Sequence, residues 1–176
     1  TDYLDTIPHL FYYNAFLILS NGTEAKVGTL GSKYEFFHEW KRLSEQEQGS
    51  VALETMLRGI CKKENFLDLL ENFILFDHSG GHTVKILARN HQYLGVNEAI
   101  KAYEARKLNN GKLGVFWHTQ GSGKSYSMVF LAQKIRRKFS GSPTIVILTD
   151  RDELNTQISD TFENCGILGK AKASQF

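Results

Sequence analysis

Apolar positions change their rhythm midway along this chain of 176 residues. Ala15-Phe16-Leu17-Ile18-Leu19-Ser20 is a nearly continuous apolar run that predicts a buried strand, and Asn21-Gly22 separates it from a second run, Glu24 to Leu30. An Asn-Gly pair between two such runs predicts a hairpin, because both residues tolerate the positive φ of a tight turn. Tyr34, Phe36, Phe37 and Trp40 form an aromatic stretch, and Glu45 to Ser50 reads as a polar surface loop. Val51, Leu53, Met56, Leu57 and Ile60, then Phe66, Leu67, Leu69, Leu70 and Phe73, recur at helical spacing and predict two helices. Asp77-His78-Ser79-Gly80-Gly81-His82 is a turn. A boundary placed there divides the chain into an α+β segment, 1–82, and a second segment, 83–176.

Beyond the turn, strands and helices alternate. Thr83 to Leu87 is strand-like, and Asn90 to Lys107 predicts a helix with Asn90 as its N-cap. Leu113-Gly114-Val115-Phe116-Trp117 is a short apolar strand, and a loop runs from His118 to Gly123. Lys124 to Phe139 predicts a helix with Met128, Leu131, Ala132 and Ile135 on one face. Pro143 to Thr149 is the continuous apolar run expected of a parallel strand covered on both faces, and Asp152 to Phe162 follows as a helix. Strand, glycine loop, helix and strand in that order predict a right-handed βαβ unit.

Composition narrows the class. Hydrophobic residues at 41%, charged residues at 23% and only 2 prolines exclude a disordered or collagen-like chain. The longest apolar stretch, Leu10 to Leu19, is interrupted by Asn14 and is too short to span a bilayer. Acidic residues near Thr1 stand where an export signal would be basic. Cys61 and Cys165 form no framework, so a reduced, cytoplasmic protein with no membrane partner is expected. The net charge of +2 is unevenly spread: residues 85–138 hold eleven Lys or Arg against two acids, a balance of +9, with −5 before and −2 after. A basic central segment suits polyanions such as nucleotide phosphate or nucleic acid, and charge alone would equally fit a solvated helix surface.

His118-Thr119-Gln120-Gly121-Ser122-Gly123-Lys124-Ser125 carries the chemistry. Glycines let successive backbone N–H groups turn inward around a phosphate, and the following helix adds its unpaired N–H groups and dipole. Lys124 is the candidate catalytic charge on the β- and γ-phosphates, and the Ser125 hydroxyl is the candidate ligand to Mg²⁺. Gln120, Gly121, Ser122 and Gly123 complete the nucleotide cradle. The full pattern G-x-x-x-x-G-K-[ST] asks for Gly where His118 stands. Upstream, the Gln92 amide has the donor–acceptor pair that matches adenine N7 and N6, with Arg89 beside it, although a Gln near a helix start would equally serve as a capping or surface residue. At the end of the second apolar strand, Thr149-Asp150-Arg151 is placed to meet a phosphate backbone, although Asp150 would equally serve as an N-cap. Lys85 and the cluster Arg136-Arg137-Lys138 are further candidates for backbone contact, the cluster also fitting a solvated helix end stabilised by the C-terminal dipole.

Together these strings resemble the R (motor) subunit of type I restriction–modification enzymes. The matching stretches are Ile7 to Phe16 (IPHLFYYNAF), Arg89 to Tyr93 (RNHQY), Gly114 to Ser125 (GVFWHTQGSGKS) and Pro143 to Arg151 (PTIVILTDR). The resemblance implies a P-loop NTPase fold: an incomplete RecA-like βαβ core of the superfamily 2 helicase type, preceded by the smaller α+β segment. It implies a restriction nuclease joined to a motor of two RecA-like domains that pulls duplex DNA with ATP and Mg²⁺. It also implies methyltransferase and specificity subunits as partners. Arg89 and Gln92 match the adenine-reading Q motif, Gly121 to Ser125 match motif I, and Thr149 to Arg151 match the DNA-contacting motif Ia. The chain stops before any DEx[HD] box, so this stretch alone is expected to bind nucleotide with negligible turnover.

Two other patterns carry less. Glu24-Ala25-Lys26, with Asp2 or Asp5 upstream, superficially fits a nuclease carboxylate–lysine site, but in the family the IPHLFYYNAF stretch follows those catalytic residues. His78 and His82 lack a third clustered ligand for a metal. The alternative to the motor is another P-loop enzyme, such as a small-molecule kinase, which would carry an Arg-rich lid instead of a DEx[HD] box.

Overall fold

A computed structural model describes residues 2–167. Helix α1 is Asp2–Thr6, followed by a 3₁₀ turn at Pro8–Phe11. Strands β1 (Leu17–Ser20) and β2 (Ala25–Gly28) pair antiparallel, from Leu17 opposite Gly28 to Ser20 opposite Ala25. The predicted hairpin is present, and its chemistry is local. The Asn21 side-chain oxygen accepts from the N–H groups of Thr23 and Glu24 at 3.0 and 2.8 Å, while Gly22 takes φ +94°.

The two helices expected next are α2 (Leu53–Ile60) and α3 (Lys63–Asn72). After α3 the chain turns into a strand that the periodicity did not reveal, β3 (Ile74–Asp77). It pairs antiparallel with the expected β4 (Val84–Leu87), so the turn at 78–83 is the tip of a hairpin. Helices α4 (Asn90–Glu104), α5 (Lys124–Lys138) and α6 (Asp152–Asn164) agree with expectation to within a few residues. The N-cap of α4 is Arg89. The side chain of Asn90 instead accepts from the N–H groups of Lys41 and Arg42 and donates to the Arg42 carbonyl, tying α4 to the loop before α2. Likewise Arg151, not Asp150, is the N-cap of α6.

The βαβ expectation is corrected. Residues 113–117 and 143–149 carry no regular secondary structure: among the described residues neither joins a ladder, and both sheets are two-stranded antiparallel hairpins. A parallel strand satisfies its backbone only through neighbours on its flanks, so an apolar run specifies strand type without supplying a partner. Val115, Trp117, Val146 and Leu148 are accordingly exposed. The face of α5 shifts with them. Val129, Phe130, Ala132, Lys134 and Ile135 are buried, whereas Met128 and Leu131 line an apolar groove of about 550 Å³ beside residues 113–118.

One core runs through both halves of the chain. Val27, Trp40, Met56, Ile60, Leu69, Phe73, Val96, Val129 and Phe130 are fully buried. Tyr93 stands between Trp40 and Phe73, with ring centroids 5.3 and 4.7 Å away, and Phe73 meets Phe130 at 5.6 Å. Gly59 permits the close approach of α2, since a Cβ there would lie 2.2 Å from the Trp40 indole nitrogen. The last nine residues of the 83–176 segment lie outside the described residues.

Candidate functional site

The glycine loop meets the N-terminus of α5 as its composition requires. Gly121 and Gly123 take φ +75° and +83°, a left-handed geometry that a side chain strains, and Gly123 is the N-cap of α5. No side chain caps that end, so the first-turn N–H groups and the helix dipole face the loop. The Lys124 ammonium lies back across the loop and donates to the carbonyls of His118 and Thr119 at 2.7 and 2.8 Å. Ser125 is half-buried beside it, and Gln120 is exposed on the outer turn. The hydroxyl of Ser122 is buried without a partner among the described residues, an orphaned donor inside the loop.

Gln92 is buried and bridges two elements. Its amide oxygen accepts from the Arg89 N–H at 2.8 Å, closing the first turn of α4, and its amide nitrogen donates to the Gly123 carbonyl at 2.9 Å. An amide has two donor hydrogens and two acceptor sites, so one of each remains. Both Gln92 and the exposed Arg89 line a cavity of about 570 Å³ whose floor includes Gly121, Ser122 and Gly123. The structure therefore brings Arg89, Gln92 and the loop glycines to one place.

The opposite wall of that cavity was not legible in the motifs. Lys33, Phe36 and His38 come from the segment after β2, while Asp77 and Lys85 come from the β3–β4 hairpin. Tyr126 of α5 donates to the Asp77 carboxylate at 2.5 Å, and the Ser79 N–H donates to the other carboxylate oxygen at 2.8 Å. Burial pushes the Asp77 carboxyl up, but these hydrogen bonds outweigh it and hold it below the usual range. Burial and the same carboxylate raise the Tyr126 hydroxyl. Burial, with Arg89 and His91 nearby, pushes His38 down to about 4. The sequence signals for this wall were the aromatic density around residues 34–40 and the candidate cation Lys85.

The remaining candidates separate. Thr149 is half-buried and Arg151 exposed, paired loosely with Asp150 at 3.7 Å, and neither lines the cavity. Lys85 donates to the Asn14 carbonyl at 2.9 Å. In the basic cluster, Arg136 donates to the Ile167 carbonyl and Lys138 pairs with Glu104, each at 2.8 Å. Among the described residues no group of three or more His, Cys, Asp or Glu could hold a metal ion. No described helix is long and apolar enough to cross a membrane.

Comparison with known proteins identifies relatives of the chain. Residues 91–175 match the family model of the SWI2/SNF2 ATPase. A type I restriction enzyme HindI endonuclease subunit from Haemophilus influenzae is 39% identical over 171 residues, covering 92% of this chain and 16% of that protein. The MjaIXP endonuclease subunit of Methanocaldococcus jannaschii, whose name likewise assigns it to the type I restriction enzymes, is 30% identical over 90% of this chain and 17% of its own length. A Staphylococcus aureus type I restriction enzyme endonuclease subunit is 23% identical over 87% of this chain and 16% of its own. Over nearly all of its length, then, the chain is homologous to about one sixth of the endonuclease (R) subunit of type I restriction enzymes.

Proposed function

We propose that this chain forms the nucleotide-binding part of an ATP-driven, DNA-translocating restriction subunit, built around a P-loop phosphate site. The observation that carries the reading is the junction of Gly121–Gly123 with the uncapped N-terminus of α5, opening onto the cavity that Arg89 and Gln92 line. Backbone N–H groups and the helix dipole hold phosphate there, and Lys124 exchanges two loop carbonyls for phosphate oxygens. Gln92 keeps one donor and one acceptor for the adenine edge. The Ser125 hydroxyl would be the protein ligand to Mg²⁺, and the orphaned hydroxyl of Ser122 suits an oxygen-rich guest. When bound, the metal neutralises charge between the phosphates. Thr149 and Arg151 contact the backbone of duplex DNA, and methyltransferase and specificity subunits complete the assembly.

Lys124→Ala in the complete protein tests this. The backbone cradle survives the substitution, so nucleotide binding weakens, while stabilisation of developing γ-phosphate charge is lost more severely. DNA-stimulated ATP hydrolysis is expected to fall to background, and translocation and cleavage with it, at unchanged thermal stability. A folded Lys124→Ala protein that hydrolyses ATP at the parental rate on unmodified target DNA overturns the reading.

A further inference from the structure

The phosphate loop carries an imidazole where the commoner pattern has a glycine, and that ring has a defined seat. His118 packs edge-on against Phe116, with centroids 4.5 Å apart, and against His91 of α4, 4.7 Å apart and nearly perpendicular. Room for this comes from Gly95, one turn further along α4 on the same face. A Cβ at Gly95 would lie 2.5 Å from the Phe116 ring and 3.5 Å from His118. The His91 ring makes a second contact: its Nε2 lies 3.0 Å from the Ser122 carbonyl, to which it donates.

We propose that His91 is a positioning residue for the phosphate loop, holding it at Ser122 by a hydrogen bond and at His118 by ring contact. A trans peptide unit is planar, with its C=O and N–H pointing in opposite directions. When His91 draws the Ser122 carbonyl toward α4, the N–H of Gly123 is aimed away from α4. Gln92, the next residue, draws the Gly123 carbonyl the same way and aims the N–H of Lys124 likewise. Adjacent side chains at the start of α4 thus orient two successive N–H donors at the end of the loop. His118 extends the contact to the loop's first residue, so the ring at that position replaces the freedom of a glycine with a fixed anchor. The role rests on the nucleotide reading of the loop, which assigns His91 nothing.

The test is a titration of the complete protein with a fluorescent ADP analogue, alongside thermal melting. His91→Ala is expected to weaken binding roughly three- to tenfold, the scale of one hydrogen bond. His91→Gln, which keeps an N–H donor at similar reach, is expected to bind within about twofold of the parent. His118→Gly, although it restores the commoner pattern, is expected to weaken binding in the parent and to add little in a His91→Ala background, because the two rings act as one contact. Lys124→Ala separates the two ideas. If it loses nucleotide while His91→Ala binds within twofold of the parent, the positioning role is overturned and the nucleotide site stands. Binding by His91→Gln as weak as by His91→Ala, at parental melting temperature, overturns the role as well. A parent protein that binds no nucleotide overturns the reading of the site and this inference with it.

Discussion

The Gln92 amide nitrogen donates to the Gly123 carbonyl at 2.9 Å, which ties the first turn of α4 to the last glycine of the phosphate loop. A residue whose sequence context suggests base recognition also shapes the loop. Gly123 has no alternative side chain here: its φ is +83°, and a Cβ would lie 2.9 Å from the Gln92 amide.

That double engagement sets the outcome for Gln92→Ala. Losing the loop anchor weakens ATP and GTP alike, and losing the free amide edge removes the preference for ATP, worth about 1–3 kcal/mol for a bidentate contact. Competition titrations with both nucleotides measure each part. Equal affinity for ATP and GTP in the unsubstituted protein would remove the base-reading role.

Stability depends on a buried ion pair that joins three helices. Lys134 of α5 donates to both carboxylate oxygens of Asp68 in α3, at 2.5 and 2.6 Å, and to the Asn97 side chain of α4 at 2.6 Å. Burial lowers the lysine pKa, and the Asp68 carboxylate opposes that. Lys134→Met strands a carboxylate that is only 21% exposed, and is expected to cost about 2–4 kcal/mol in chemical denaturation. Combining it with Asp68→Leu is expected to recover most of that loss, since an apolar pair leaves no charge uncompensated. A double variant no more stable than the single one would assign the loss to packing.

His38 links folding to pH. Its two ring nitrogens face the carbonyls of Val27 and Ala88 at 3.1 and 3.2 Å, joining β2 to the residues just before α4. Two acceptors favour a doubly protonated ring, but burial with Arg89 and His91 close by prevails and pushes its pKa from 6.5 to about 4. Between those values the unfolded chain binds the proton that the folded chain refuses. The His38 contribution is therefore full above about pH 6.5 and declines toward pH 4. The melting temperature of the parent should fall across that window, and that of His38→Gln should fall less. Parallel curves for the two proteins would contradict the assignment.

For DNA, Arg151 and the basic cluster should differ. The Arg151 guanidinium is 78% exposed with only a loose carboxylate neighbour, so it is available to a phosphate. Arg151→Ala in the complete protein is expected to weaken duplex binding without regard to sequence and to reduce the salt slope by about one. Arg136→Ala is expected to leave the slope unchanged, since Arg136 donates to the Ile167 carbonyl. Anisotropy titrations from low to moderate salt distinguish them, and an unchanged slope for Arg151→Ala would count against the backbone contact.

Local chemistry was legible in the residues alone. The Asn21-Gly22 hairpin, the helices α2 to α6 and the glycine geometry before Lys124 depend on neighbours within a few positions, and each stands where the pattern put it. Family kinship was equally legible, because GVFWHTQGSGKS and PTIVILTDR are long enough to be specific. What needed the tertiary structure were relations between distant residues. Strand β3 is defined by pairing with β4, and residues 113–117 and 143–149 join no ladder among the described residues because pairing is not a local property. The buried face of α5 is set by Phe73 and Asp68, which lie in another helix or just beyond it. The far wall of the cavity joins Phe36, Asp77 and Tyr126 across ninety positions of sequence. Periodicity reports which residues avoid water; only packing decides which of them meet.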